Sequence, residues 1–245
     1  MPTFKLVVEY DGTGYAGWQR QLGQPTVQAA LENALQKITQ TSIAVIGAGR
    51  TDAGVHALGQ VVSFRSDKPL TPRDWRRALN AHLPADISVQ ASESVPDDFH
   101  ARYSAKTKQY EYRILNQPER PALDRNRVWH IYGPLHLDVM RQAATFLVGK
   151  QDFGSFQGNP TDTTDTICEL QRLDLVQEGP LVRIQFLGDR FLKQMVRAIV
   201  GTLVEIGQDK RPPEAMKEIL AAKDRRAAGY TAPPQGLYLV RVDYN

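Results

Sequence analysis

Apolar residues recur at every second position of "FKLVVEY" (4–10), the two-residue period of a strand, and the run ends at the turn "DGTG". After Pro25 the period changes. Thr26 is placed to cap a helix whose apolar positions Val27, Leu31, Leu35 and Ile38 follow helical spacing. "SIAVIGAG" (42–49) reads as a strand running into glycines, and "GQVVSFRS" (59–66) as the next strand. In "TPRDW", Thr71 is an N-cap, Pro72 takes the first helical position and Asp74 sits where a capping box needs an acceptor. Trp75, Ala78 and Leu79 give that helix a buried face, and "DISVQASESV" (86–95) closes this half as a strand.

The second half opens on the alternating "KQYEYRI" (108–114). A helix follows from Asp138, burying Val139, Ala143, Phe146 and Leu147. "ICELQRLDLVQEGPLVRIQFLG" (167–188) predicts a hairpin around Gly179-Pro180. A long helix spans Phe191 to Ile206, another starts after Pro212-Pro213, and "GLYLVRVDY" (236–244) is a strand. Each half thus mixes several strands with about two helices. The pattern predicts an α+β (mixed α/β) protein of two similar halves, 1–104 and 105–245, without any residue-level repeat. The polar loops 21–26 and 157–166 are expected to be mobile or to face a partner.

Composition narrows the class. With 245 residues, 42% hydrophobic and 23% charged, the chain reads as a soluble globular protein. No stretch approaches the roughly 18 apolar residues of a membrane span. An acidic residue stands in the N-terminal segment where a signal peptide is apolar, so no export is expected. The single cysteine, Cys168, excludes an internal disulfide and any CxxC zinc site, and fits a reducing cytoplasm. A net charge of +3 suits nucleic acid without selecting it. "RYSAKTKQYEYR" (102–113) is more telling, with two Arg, two Lys and three Tyr against one Glu. Interleaved cations and aromatics suit a partner with phosphates and stackable bases. Taken alone, the stretch reads better as a solvated strand with alternating faces.

The candidate chemistry lies in "GAGRTDAGVHALGQVVSF" (47–64), where Asp52 follows Arg50 closely between glycines. A dinucleotide fingerprint fails because position 52 is Asp where the third glycine belongs, and no G-x-x-x-x-G-K-[ST] loop occurs. A zinc deaminase needs H-x-E and P-C-x-x-C, which one cysteine cannot supply. His56 lies four residues after Asp52, a helical metal spacing, but the glycines argue against a helix and no further cluster supports a metal. An isolated Asp in such a loop usually forms an Asx-turn or a cap. Here a second observation weighs against that. "FLKQMVRAIVGTLVEI" (191–206) is apolar over most of its circumference and carries Arg197 in its middle. A buried guanidinium is costly without an anion and hydrogen bonds, and Asp52 is a candidate partner. Such a pairing would keep Asp52 ionised, as a nucleophile or cation stabiliser requires.

"GRTDAGVHALGQV" resembles the signature of the TruA-type tRNA pseudouridine synthases. "YDGTGYAGWQRQ", "FHARYSAKTKQYEYRI", "DFGSF" (152–156), "FLKQMVRAIVGTL" and "GLYLVRVDY" also resemble family segments, in the family's order and over essentially the whole chain. The resemblance implies two similar halves with a joined, largely antiparallel sheet flanked by helices. It implies a homodimer acting without metal or organic cofactor on uridines 38, 39 and 40 of the tRNA anticodon arm. The family's catalytic aspartate falls on Asp52, its uridine-pocket tyrosine on Tyr110, and the arginine pairing with the acid on Arg197. Arg50 falls on the arginine taken to displace the target base and hold RNA. Arg102, with Lys106 and Lys108, belongs to the basic set that can offset the cost of unstacking, although plain surface charge explains each of these three equally well. For Tyr110 by itself, a ring on the core of a strand is the simpler reading. Two other functions stay open on the residues alone: a non-catalytic RNA-binding module and a carboxylate-dependent hydrolase. The first has no use for a buried acid, and the second wants another catalytic carboxylate, for which the sequence offers no candidate.

Overall fold

In the computed structural model, which describes residues 1–159, 161 and 163–244, the alternating N-terminal run forms β1 (Thr3–Tyr10). Thr26 then starts α1 (Val27–Thr39), its hydroxyl accepting from the Ala29 N–H at 3.4 Å. After β2 (Ile46–Gly47) and β3 (His56–Arg65), Thr71 caps α2 (Pro72–His82) by accepting from the Asp74 N–H at 3.2 Å. β4 (Ile87–Val95) follows. The chain divides into two compact units, Met1–Lys106 with Tyr238–Asn245, and Thr107–Leu237.

In the first unit, β1 lies between β4 and β3, antiparallel to both. The strand Leu237–Asp243 pairs in parallel with the start of β3, Tyr238 opposite His56. The core is aromatic: Trp75 of α2 is fully buried and packs on the rings of Phe4 and Phe64, with centroids 5.6 and 5.1 Å apart. Val27, Leu31, Ala34 and Leu35 of α1 are buried as well. Ala78 is only half-buried. The expected strand over 42–49 shrinks to Ile46–Gly47. The reason is that α1 side chains take the place of a ladder partner, with Glu32 accepting from the Val45 N–H (3.3 Å) and Gln28 donating to its carbonyl (3.4 Å).

The second unit comprises β5 (Thr107–Asn116), β6 (Trp129–Ile131), α3 (Leu137–Thr145), β7 (Gly149–Asp152), β8 (Ile167–Glu178), β9 (Leu181–Gly188), α4 (Met195–Gly207) and α5 (Ala215–Ala222). The strand 237–243 is thus β10. β5, β9, β8 and β7 run antiparallel in that order, and β6 joins β5 in parallel. The hairpin turn falls at Gly179-Pro180 as the sequence predicts, between β8 and β9.

Two helices depart from expectation. α3 buries Leu137, Met140, Ala143 and Ala144, while Val139 and Phe146 are half-buried, Phe146 lying under the Lys217 ammonium at 4.4 Å. α4 begins at Met195, not Phe191, because Gln194 takes a left-handed conformation (φ 58°) that a helix cannot pass through. Within α4 every residue is buried except Arg197 and Glu205. The mixed architecture of largely antiparallel strands and helices matches the fold class read from the sequence. Loop 21–25 is fully exposed. Of the other polar loop, Pro160 and Asp162 lie outside the described residues.

Candidate active site

The Asp52 loop is held by main-chain and buried side-chain bonds on both flanks. Before the acid, Ala48 N–H donates to the Val61 carbonyl (2.8 Å), and the buried Gln60 amide donates to the Gly49 carbonyl (2.8 Å). After it, Val55 N–H closes a turn on the Asp52 carbonyl (3.2 Å). The segment "YDGTGYAGWQRQ" supplies the rest of the frame. Trp18 N–H donates to the Thr51 carbonyl (3.0 Å), Gly54 N–H to the Tyr15 carbonyl (3.3 Å), and the Tyr10 and Thr51 hydroxyls share a hydrogen bond of 2.8 Å. Burial pushes the Tyr10 phenol up to about 12, against the lowering effect of its bonds to Thr51 and Gln60, so it is a neutral structural group near pH 7.

Thr51 and Val55 are buried on either side, whereas Asp52 is half-buried and Arg50 exposed. The frame therefore fixes the backbone and leaves the acid accessible. His56, only 3% exposed, is explained by the same frame: its Nδ1 accepts from the Gly12 N–H at 3.0 Å. That nitrogen also lies 3.2 Å from an Asp11 carboxylate oxygen. Among the described residues no three of His, Cys, Asp and Glu gather as a metal site needs.

Gly47, at the start of this segment, has a local packing purpose. A side chain on Gly47 would meet the Trp18 indole at 2.6 Å, and Trp18 is buried, tilted against Tyr10. Gly47 and Trp18 fill one volume. Trp18→Phe is expected to open a void over Gly47 and cost about 1–3 kcal/mol. Adding Gly47→Ala to that variant should recover part of the loss, while Gly47→Ala alone destabilises. Thermal melts of the three variants measure this, and strictly additive effects would show that the two residues do not share the space.

Arg102 is exposed, its guanidinium 5.7 Å from the Tyr103 ring centre. Its neighbour Ala101 bonds to Ser63 (3.2 Å), seven positions along β3 from His56.

In the second unit, Tyr110 sits on β5 opposite Phe186, 7% exposed, with its ring edge-on to Phe191 at 4.9 Å. Arg197, half-buried on α4, donates from Nε to the Ala232 carbonyl (2.8 Å), and its own carbonyl accepts from the Ala232 N–H (3.0 Å). The segment "GYTAPPQG" (229–236) is thus stitched to α4. Gly229 N–H donates to the Thr202 hydroxyl (2.9 Å) and Tyr230 N–H to Glu205 (3.1 Å). Arg225 donates to the Gly229 carbonyl and the Thr231 hydroxyl, both at 2.8 Å. Tyr112 donates its hydroxyl to the Pro233 carbonyl (2.7 Å), and burial raises that phenol far above its ordinary value while the Arg197 charge acts in the opposite sense. The two residues of α4 that are not buried, Arg197 and Glu205, both hold this segment.

Sequence reasoning passes over Tyr10, Trp18, Gln60 and Glu205. For Glu205 a signal exists: it is the only acid in an apolar helix, as Arg197 is the only base.

A tRNA pseudouridine synthase family pattern matches residues 6–104 and 143–245. The tRNA pseudouridine synthase A of Allorhizobium ampelinum is 46% identical over 247 residues, covering 100% of this chain and 95% of that protein. Those of Geobacillus kaustophilus and Rhodopseudomonas palustris are 45% and 46% identical, covering 98% and 100% of this chain and 93% and 100% of theirs. With a family pattern over most of the chain and relatives similar along its full length, the chain belongs to the tRNA pseudouridine synthases, a family of isomerases.

Proposed function

We propose that this enzyme converts uridines 38, 39 and 40 of the tRNA anticodon arm to pseudouridine, with Asp52 as the nucleophile. The observation that carries this reading is the Asp52 loop. Its backbone is bonded on both flanks while the carboxylate is left accessible, as a group that must meet a flipped nucleotide requires. The reaction is an isomerisation. The N1–C1′ bond breaks, a C5–C1′ bond forms, C5 loses a proton and N1 gains one, so no electrons leave and no redox partner is needed. A carboxylate adds to the uracil ring or to the sugar C1′ and is released at the end.

Tyr110 packs on the base and takes the C5 proton, and Arg197 holds Asp52 ionised. Arg50 helps to displace the target base, and Arg102 grips RNA farther along. The working form is a cytoplasmic homodimer. An unmodified tRNA transcript incubated with the enzyme should acquire pseudouridine at positions 38–40 wherever uridine stands there. Modification elsewhere, or none, overturns the assignment. Tyr110→Phe keeps the ring and removes only the phenol, so turnover should fall by about 10²-fold or more, the scale of a lost general base, with tRNA affinity unchanged. Quench-flow turnover and equilibrium binding of that variant test the role. Equal losses in both would make Tyr110 a binding residue only.

A further inference from the structure

The helix α2 carries charge that the reaction as proposed does not use. Arg73, Arg76 and Arg77 are all exposed. With Asn80 they fall at i, i+3, i+4 and i+7, within an arc of about 100° at 3.6 residues per turn. Trp75 and Leu79 anchor the helix from its buried side. Among the described residues none of the three arginines is ion-paired with an acid. Acids on the helix and on neighbouring segments are engaged elsewhere: Asp74 accepts from the Thr71 hydroxyl (2.5 Å), Glu9 from Gln90 (3.0 Å) and Asp86 from Tyr15 (2.6 Å). A helix face that is merely solvated usually alternates charges of both signs. This one is uniformly cationic.

The arginines border a built feature. Arg76, Arg77 and Asn80 line a groove of about 490 Å³ whose floor is Ser88, Val89 and Gln90 of β4. Asn80 fixes that floor, donating to the Val89 carbonyl (3.0 Å) and accepting from its N–H (2.7 Å), and Arg76 reaches the Gln90 carbonyl at 3.3 Å. Pairing with β1 slips at this point, since Val8 faces Val89 but Val7 faces Ala91, which leaves Gln90 as a bulge. The register also locates the groove. Ile87 lies opposite Tyr10, and Tyr10 opposite Ala57, five residues after Asp52. Groove and acid loop therefore share one end of this unit's sheet, two strand spacings or about 10 Å apart across it.

We propose that the Arg73–Arg76–Arg77 face grips the phosphate backbone of the tRNA outside the reacting nucleotides, independently of base sequence. The inference rests on the reading of the protein as a tRNA-modifying enzyme. Charge complementarity selects the occupant: three unpaired guanidinium groups beside a polar groove match a polyanion whose charges repeat along its backbone.

The test is a salt titration of binding to a full-length tRNA transcript. The triple variant Arg73→Ala, Arg76→Ala, Arg77→Ala should flatten the log–log slope by about 2 to 3 and weaken binding on the order of 100-fold near 0.1 M salt. The matching triple lysine variant should keep the wild-type slope, because the contact is one of charge. Arg73→Ala with Arg77→Ala spares the Arg76 bond to β4 and should flatten the slope by about 1.5 to 2, which separates lost contacts from a damaged fold. Wild-type slopes in both alanine variants would overturn the proposal, including the case where the face serves an acidic protein instead. Failure of the underlying functional reading shows differently, as absence of pseudouridine when wild-type enzyme acts on the same transcript.

Discussion

Asp52→Asn should abolish pseudouridine formation, lowering the single-turnover rate on the order of 10⁴-fold or more, the scale on which enzymes lose activity when a nucleophile is removed. The amide has nearly the same size but no ionised oxygen to form a bond. The fold should not register the change. The backbone of Thr51, Asp52 and Gly54 and the side chains of Thr51 and Gln60 make bonds that an isosteric amide at position 52 leaves in place. The melting temperature should therefore match wild type within the spread of ordinary surface substitutions, about 0.5 kcal/mol. Affinity for tRNA should hold as well, because phosphate contacts supply most of it. Product from a well-folded Asp52→Asn enzyme in a single-turnover assay would remove the acid from its role.

The second large effect is on stability. At Gly201 a Cβ would lie 1.8 Å from the Tyr230 carbonyl oxygen and 2.9 Å from its carbon, so the stitched segment crosses α4 where there is no side chain. Gly201→Ala gains about 1 kcal/mol in helix propensity. It must also push apart two pieces of backbone at a buried position of the helix, and overpacking of that kind costs about 3 kcal/mol or more. The clash wins. We expect a net loss of at least about 2 kcal/mol and a melting temperature lower by roughly 4–8 °C for a chain of this length. Turnover should fall with it, because moving Tyr230 also moves Ala232, which bonds to Arg197 twice. A variant with wild-type melting temperature would show that the segment yields without strain.

Much of this architecture is legible in the residues. Thr26 and Thr71 mark helix starts because a capping hydroxyl is a local device, visible within four positions. The hairpin at Gly179-Pro180 and the alternating β1 and β5 follow from period and turn chemistry in the same way. The misses share a cause. β6 and β7 have three and four residues, too few for any period to show. The start of α4 depends on one left-handed glutamine, a conformation that composition does not announce. For the site, Asp52 stands out through its glycine setting and Arg197 through its apolar helix. Gln60 and Trp18 do not, since an amide in a strand and an indole in a loop look ordinary until the chain is folded around them. The bonds that Arg225 and Glu205 make to 229–231 are likewise long-range consequences of packing.

The parallel pairing of Tyr238 with His56 has a consequence for biosynthesis. Its aromatic ring stacks on that imidazole at 4.8 Å, immediately beyond the turn that carries Asp52. This strand, which pairs with the start of β3 just beyond the acid loop, is translated only after the whole of the second unit has been made. A nascent chain emerging from the ribosome can complete Thr107–Leu237 while the first unit still lacks a strand, the reverse of the usual order in which the N-terminal part settles first. Until then the proposed nucleophile stands next to a strand that lacks its parallel neighbour. A transcript truncated before codon 238 would yield a protein with every proposed catalytic side chain and the start of β3 left without its parallel neighbour.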